Sequence, residues 1–208
     1  HRLGLLMAQW HSNGPSACHL TYRGDLTQKN TKLVTAAFCA GLLEKALDQD
    51  VNVVNAQLLL QERGIKLTEE SQAQPGAFSS SMSVEVTGAN GEKMVASGTL
   101  FGTDMPRLIR LADFRLEAYL DGNLFVFTHN DRPGIIGAVG TIFGNHKVNI
   151  AQMSVGRAAP GGGAIGVLNL DSLPSAAALA EVTAHPDITS VRVLELPAAG
   201  VLPTWLRM

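Results

Sequence analysis

A short polar segment at residues 129–134 places the strongest constraint on how this chain can fold. It reads His-Asn-Asp-Arg-Pro-Gly and stands between an apolar run at 124–127 and an amphipathic run at 135–143. An apolar run, a tight polar turn and an amphipathic run are typical of a strand followed by a helix. Because the fixed φ and missing N–H of proline suit a first helical turn, Pro133 is predicted to open this helix.

The residues after Asp121-Gly122 continue this alternation in a regular order. The pattern predicts a strand at 124–128, a helix at 134–145 and a strand at 149–157. A strand at 164–170, a helix at 174–184 and a strand at 188–196 are predicted to follow. The glycine-rich stretch Pro160 to Gly163 is followed by a strand and not by a helix, so it is interpreted as a hairpin loop rather than a phosphate-binding loop. The order βαββαβ is the ferredoxin-like arrangement, an antiparallel sheet with two helices on one face.

The residues before Asp121 have a mixed pattern of helices and strands. Apolar positions recur at helical spacing at 3–10, 31–47 and from about 55 to 64, and strand patterns follow at 18–23, 81–87, 93–100, 106–111 and 115–119. The predicted fold class is therefore α+β, with a mixed α+β domain at 1–122, a ferredoxin-like domain at 123–197 and a loose tail at 198–208. Because residue 1 is a histidine inside the first helix, we expect that the sequence begins within a longer protein.

Composition narrows the classes of function. The net charge of −2 and the pI of about 6.3 argue against binding to nucleic acid. No apolar stretch approaches the ~20 residues of a membrane span and no signal peptide is evident, so no membrane partner is expected. Cys18 and Cys39 lack the spacing and histidine partners of a metal site, which predicts no metal and a reducing compartment, the cytoplasm. No Gly-x-Gly-x-x-Gly segment opens a predicted helix, and no alternation of strands and helices would make a parallel dinucleotide-binding sheet, so no cofactor is expected in this chain.

The polar turn and a second segment, Val148-Asn149-Ile150, carry groups that suit a small zwitterion. Free N–H groups at a helix start attract a carboxylate, and Asp131 could pair with an ammonium. Asn149 can both donate and accept hydrogen bonds. These groups indicate a pocket for a free amino acid rather than a catalytic centre. The alternative interpretation is that Asp131 only caps the helix and Asn149 only closes a turn.

The same residues resemble a known family. The segments at 124–134 and 145–153 closely resemble the ACT domain of D-3-phosphoglycerate dehydrogenases. The region before them resembles the intervening, or allosteric substrate-binding, domain of that family, in the segments at 21–26, 50–56, 62–65 and 97–102. The resemblance extends over about residues 1–196, and it implies that the chain is the regulatory portion of an NAD-dependent enzyme of L-serine biosynthesis.

The resemblance implies an effector site for L-serine or a related small amino acid. His129 and Asp131 match ligand positions of the family, and Pro133 and Gly134 of the same loop are also expected to bind the effector. Asn149 matches a position that the neighbouring subunit contributes, so the pocket would lie across the interface of a homodimer or homotetramer formed through ACT domains. The catalytic residues and the NAD site of the family match no part of this chain, so it is not expected to transfer a hydride by itself.

A second implied site and two other functions remain open. The intervening domain of some members binds an anion, and Arg107 and Arg110 lie near the matching stretch; the alternative is that both are solvated surface arginines. The chain could also be a stand-alone ACT-type amino-acid sensor or oligomerisation module. Iron–sulfur L-serine dehydratases carry a similar pair of domains, but their serine-rich segment and clustered cysteines are not found in this sequence.

Overall fold

The computed structural model describes residues 1–11, 13–47 and 49–206. These residues form five α-helices: α1 Arg2–Trp10, α2 Lys32–Leu43, α3 Ala56–Glu62, α4 Ile135–Asn145 and α5 Ala176–Thr183. They also form ten strands: β1 Pro15–Gly24, β2 Lys66–Gln72, β3 Ser80–Gly88, β4 Lys93–Phe101, β5 Met105–Leu111, β6 Phe114–Tyr119, β7 Asn123–Asn130, β8 Ile150–Arg157, β9 Gly163–Leu170 and β10 Ile188–Glu195. Two short 3-10 helices lie at Asp25–Gln28 and Thr204–Leu206. The longest described helix, α2, has 12 residues, and none of the described helices could cross a bilayer.

The first six strands form one sheet in the order β2-β1-β3-β4-β5-β6. Its strands pair antiparallel except for β1 and β2, which run parallel. Strand β2 has no counterpart among the predicted strands, because its polar sequence gives it no apolar face and it lies at the sheet edge. Helix α2 ends at Leu43, four residues earlier than predicted. The structure therefore confirms a mixed α+β unit and adds one edge strand to it.

The last four strands form a second sheet in the order β10-β7-β9-β8, with every pair antiparallel. This order confirms the predicted ferredoxin-like βαββαβ arrangement. One face of the sheet packs on α4 and α5 around Phe125, Phe127 and Phe143, all of them completely buried. The opposite face presents Leu124 and Val167 to the core of the first sheet. Apolar residues on both faces of β7 and β9 explain their continuous apolar runs.

Several contacts join the two sheets around the predicted boundary at 122, which falls between β6 and β7. The side-chain amide of Gln9 in α1 forms two hydrogen bonds with the backbone of Glu195 in β10. Its Nε2 donates to the Glu195 carbonyl at 2.9 Å, and its Oε1 accepts from the Glu195 N–H at 2.8 Å. Strand β6 packs beside β8, where a Cβ added to Gly156 would lie 2.6 Å from the Arg115 carbonyl oxygen. Glycine at 156 therefore permits the close approach of the two sheets.

The described part of the tail differs from the loose segment that the sequence predicts. The Arg2 guanidinium donates to the carbonyls of Ala198 at 2.8 Å and Val201 at 3.0 Å, and also to that of Pro197. The Trp205 ring lies edge-on to His1 with centroids 5.8 Å apart. An arginine near the start of α1 can satisfy several carbonyls at once, and this holds the tail against the first domain. Residues 207 and 208 of the predicted tail lie outside the described residues.

Candidate effector site at the end of strand β7

His129 lies at the end of β7, on the side of the sheet that faces the helices. Its side chain is buried, and its ring stacks on Phe127 with centroids 5.2 Å apart and an interplanar angle of 25°. Nδ1 lies 2.8 Å from the Asn130 carbonyl oxygen. Nε2 is inaccessible to solvent and makes no hydrogen bond with any described residue. A buried ring nitrogen without a partner is costly, so it is a candidate to meet a ligand.

Asp131 is fixed by the glycine-rich turn between β8 and β9. Its Oδ2 accepts from the Gly161 N–H at 3.1 Å and from Arg157 Nη1 at 3.2 Å, and its own N–H donates to the Gly162 carbonyl at 2.8 Å. The backbone N–H of Gly161, followed by the hydrogen bond and charge of Arg157, lowers the pKa of the Asp131 carboxyl below its ordinary value of 3.8. The side chain retains 20% exposure. The site therefore holds a charged carboxylate that solvent can reach.

The start of helix α4 differs in two ways from the prediction. The helix begins at Ile135, with Gly134 as its N-cap residue at a φ of 98°, so Pro133 lies in the preceding turn and does not open the helix. A residue with this left-handed φ cannot continue a right-handed helix, and glycine accepts it without strain. No side chain caps α4, so the interpretation of Asp131 as a helix cap is wrong. The Asp131 carboxylate is instead directed toward the β8–β9 turn.

Asn149 lies at the opposite end of the same sheet. Its Nδ2 donates to Asp171 Oδ2 at 2.7 Å, and its carbonyl accepts from the Asp171 N–H at 3.1 Å, so it does close the connection before β8. In the sheet register Ile150 lies opposite Leu170, whereas Arg157, at the other end of β8, lies opposite Ala164, which in turn lies opposite His129. Seven residues of strand correspond to roughly 23 Å. Asn149 and Asp131 of one chain therefore do not meet.

Strand β8 forms an edge of the second sheet and pairs there only with β9 among the described strands. Its two large apolar side chains on the helix side, Met153 and Val155, remain 42% and 41% exposed. The adjacent helix α4 carries glycines whose added Cβ atoms would meet nothing within 4 Å, at positions 137, 140 and 144. An edge strand with exposed apolar side chains beside a helix with small residues is typical of a surface that pairs with another chain.

Arg107 and Arg110 do not converge on one site. The Arg107 side chain is 13% exposed and lies between the rings of Phe101 and Tyr119, at 5.4 Å and 4.3 Å from their centroids. It forms part of the wall of a largely apolar cavity of about 900 Å³ that also contacts the tail. Arg110 does not line that cavity: it donates to the Ala112 carbonyl at 2.8 Å and remains exposed.

Arg157 and the glycine-rich turn are the parts of the site that sequence reasoning missed. Both were assigned correctly, to the end of a strand and to a hairpin loop, but no site was predicted there. The ferredoxin-like order returns β9 beside β7, and this pairing carries the β8–β9 turn to Asp131. The sequence pattern predicts that Arg157 lies at the end of a strand. It does not predict the strand register that places Arg157 against Asp131. Among the described residues no cluster of side chains could hold a metal ion.

Comparison with known proteins finds two family matches along the chain. Residues 1–112 match the family described as the D-3-phosphoglycerate dehydrogenase intervening domain, and residues 123–187 match the ACT domain family. A D-3-phosphoglycerate dehydrogenase of Bacillus subtilis is 33% identical over 200 residues, which are 94% of this chain and 37% of that protein. One from Archaeoglobus fulgidus is 35% identical over 179 residues, 85% of this chain and 34% of that protein.

A third relative, the D-3-phosphoglycerate dehydrogenase of Synechocystis, is 33% identical over 195 residues, 93% of this chain and 35% of that protein. The chain thus spans roughly a third of the length of the curated relatives it matches. The intervening-domain match covers more than half of the chain by itself, and the ACT match begins at residue 123, after a gap at 113–122. The chain therefore belongs to the D-3-phosphoglycerate dehydrogenase family and carries the regulatory region of that family, an intervening domain followed by an ACT domain.

Proposed function

We propose that this chain is the effector-sensing part of a D-3-phosphoglycerate dehydrogenase and binds L-serine between two ACT domains. The observation that carries this proposal is that the candidate groups are divided between the two ends of the second sheet. A carboxylate and an unpartnered ring nitrogen lie at one end, at Asp131 and His129, and an amide lies at the other, at Asn149. One chain alone cannot bring these groups to a common ligand.

A twofold axis through the middle of β8 unites the two halves of the site. Antiparallel pairing of β8 with β8 of a second copy sets Ile150 of the partner subunit beside Arg157, so Asn149 of the partner subunit comes next to Asp131. The same pairing covers Met153 and Val155 and satisfies the free edge of the sheet. Because the interface is isologous, each dimer carries two equivalent sites. Two such dimers could assemble further into a tetramer.

The proposed ligand contacts follow from the charge and hydrogen-bonding capacity of each group. The Asp131 carboxylate binds the serine ammonium, since charge-assisted hydrogen bonds of this kind are the stronger ones. The buried Nε2 of His129 meets a polar group of the ligand and thereby gains its missing hydrogen bond. A ligand held by two chains couples its binding free energy to their relative orientation, which makes the site suited to feedback control.

NAD, which the family name leads one to expect, does not fit this region. Strands β1 and β2 run parallel, but β1 ends at Gly24 and Asp25 follows, so no glycine-rich phosphate-binding turn comes after β1. The second sheet is antiparallel throughout. In our proposal NAD and the oxidation of phosphoglycerate, the first step of L-serine synthesis, belong to another part of a cytoplasmic enzyme.

Isothermal titration calorimetry of the chain with L-serine tests this function, with D-serine and glycine as comparison ligands. We expect stereoselective binding near one site per chain. Asp131→Ala should lose about 1.5–3 kcal/mol of binding free energy, because one charge-assisted contact disappears. Arg110→Ala, which changes a distant exposed charge, is the control and should bind like the parent chain.

Mixed dimers test whether the site is shared. Asp131→Ala and Asn149→Ala chains should each bind poorly, yet their mixture should regain about one intact site per heterodimer, because each mutation damages a different half of the site. A mixture as inactive as its components would contradict the shared site, and wild-type affinity of Asp131→Ala would contradict the assignment of the ammonium position.

An anion site at Arg107 is a second candidate function for the intervening domain. Its guanidinium lies over two aromatic rings on the wall of a cavity. Its Nε makes no hydrogen bond with the described residues, but Glu117 Oε1 lies 3.5 Å from it, so an anion would have to compete with that carboxylate. A guanidinium offers the planar donor fork that phosphate recognition uses. Binding of inorganic phosphate that Arg107→Gln removes and Arg110→Gln leaves intact would support this site, and equal binding by both variants would exclude it.

A further inference from the structure

One cation already contacts the Asp131 carboxylate, which is proposed to bind the ligand ammonium. Arg157 Nη1 lies 3.2 Å from Asp131 Oδ2, and the Arg157 side chain is 59% exposed. In the sheet register Arg157 lies in one row with Ala164 and His129 across three strands, so it projects from the same face as the His129 ring. The Arg157–Asp131 contact is therefore part of the candidate effector site, on the carboxylate oxygen that also accepts from the Gly161 N–H.

Arg132, the arginine that follows Asp131 in the chain, contacts a different carboxylate. Arg132 Nε lies 3.3 Å from Asp187 Oδ1, and the same Oδ1 accepts from Asn130 Nδ2 at 3.2 Å. Arg132 is thereby directed toward the connection between α5 and β10, away from the glycine-rich turn. Within the described residues Arg157 is the cation that contacts Asp131.

We propose that Arg157 is an exchangeable arm of the effector site: it covers Asp131 in the empty site and binds the carboxylate of an α-amino acid once the ammonium has displaced it. This inference rests on the proposed function and adds the class of ligand that the site accepts. The ammonium replaces the guanidinium on Asp131, and the released guanidinium pairs with the ligand carboxylate in its planar fork.

Charge balance explains why such a site selects a zwitterion. The empty site contains one carboxylate and one guanidinium that neutralise each other. An α-amino acid adds one positive and one negative group and leaves every charge paired. An amine without a carboxylate also separates Arg157 from Asp131, but it gives the guanidinium no new partner. The loss of the ion pair therefore opposes the binding of such an amine. Arg157 thus discriminates between amino acids and simple amines.

Two ligands and two variants test this role by calorimetry. L-serine is compared with ethanolamine, which keeps the ammonium and hydroxyl of serine but lacks the carboxylate. Arg157→Gln should weaken L-serine binding about tenfold, because a charge-assisted contact is lost. The same substitution should strengthen ethanolamine binding up to about fivefold, because the exposed ion pair no longer competes. Arg132→Gln removes the same charge from a residue that pairs with Asp187 and not with Asp131, and it should leave both affinities unchanged.

The opposite signs for the two ligands distinguish this role from a structural one, which would change both affinities in the same direction. Arg157→Lys should retain part of the serine affinity, because it keeps the charge but loses the fork. If the parent chain binds L-serine and Arg157→Gln changes neither ligand, the role of Arg157 is refuted while the proposed function stands. If neither the parent chain nor Arg157→Gln binds L-serine, both are refuted. Binding of L-serine by Arg157→Gln and not by the parent chain would refute the role of Arg157 in binding the ligand carboxylate, because that role predicts weaker binding by the variant.

Discussion

Replacing Gly166 by alanine tests how the buried row of aromatic side chains holds the effector site. Gly166 lies in β9 opposite Phe127, and a Cβ added there would lie 2.2 Å from Phe127 Cε1. That is about 1.3 Å short of the ~3.5 Å at which carbon atoms make normal contact. Phe127 is completely buried between Phe125, at 5.6 Å, and His129, at 5.2 Å, so the ring cannot move without displacing the site.

Overpacking of this size costs about 2–3 kcal/mol of the free energy of unfolding. For a chain of this length the cost corresponds to a fall in Tm of roughly 4–12 °C by differential scanning calorimetry. Gly76→Ala is the control, since an added Cβ there meets nothing within 4 Å and its φ lies outside the left-handed region. It should change the free energy of unfolding by no more than about 1 kcal/mol, because no atom has to move to accept the methyl group. A Gly166→Ala chain as stable as the control would refute the packing argument.

Three further predictions concern the sheet interface, the thiols and the site carboxylate. Gly156→Ala should weaken the packing of β6 on β8 by about 1–3 kcal/mol, seen as faster amide exchange in β6, because its Cβ would lie 2.6 Å from the Arg115 carbonyl oxygen. Burial raises the pKa of Cys18 and Cys39 to about 12, so a thiol reagent at pH 8 should modify neither until the chain is denatured. The pKa of Asp131 is lowered, so its ion pair stabilises the fold above the ordinary pKa of aspartate and is lost only as the pH falls through the lower folded value. An NMR titration should therefore find its midpoint below 3.8, and a midpoint above that value would contradict the contacts of the turn.

The elements with a clear apolar period could be predicted from the sequence. Strands β7 and β9 carry unbroken apolar runs because both faces are buried, and α4 carries apolar residues at helical spacing. Strand β2 was not predicted, since a polar edge strand takes its conformation from its neighbour β1 and not from its own side chains. The contacts of the tail with Arg2 were missed for a similar reason, because a carbonyl oxygen carries no sequence signal.

The candidate site divides in the same way. The sequence by itself determined the order of strands and helices, and it identified His129, Asp131 and Asn149 as polar residues at the ends of those elements. Only the tertiary structure decided that the Asp131 carboxylate faces Arg157 and the glycine-rich turn, and that Asn149 lies at the far end of the sheet. The physical reason is that local period and turn chemistry are encoded by neighbouring residues, whereas contacts between strands depend on the register in which distant segments pair.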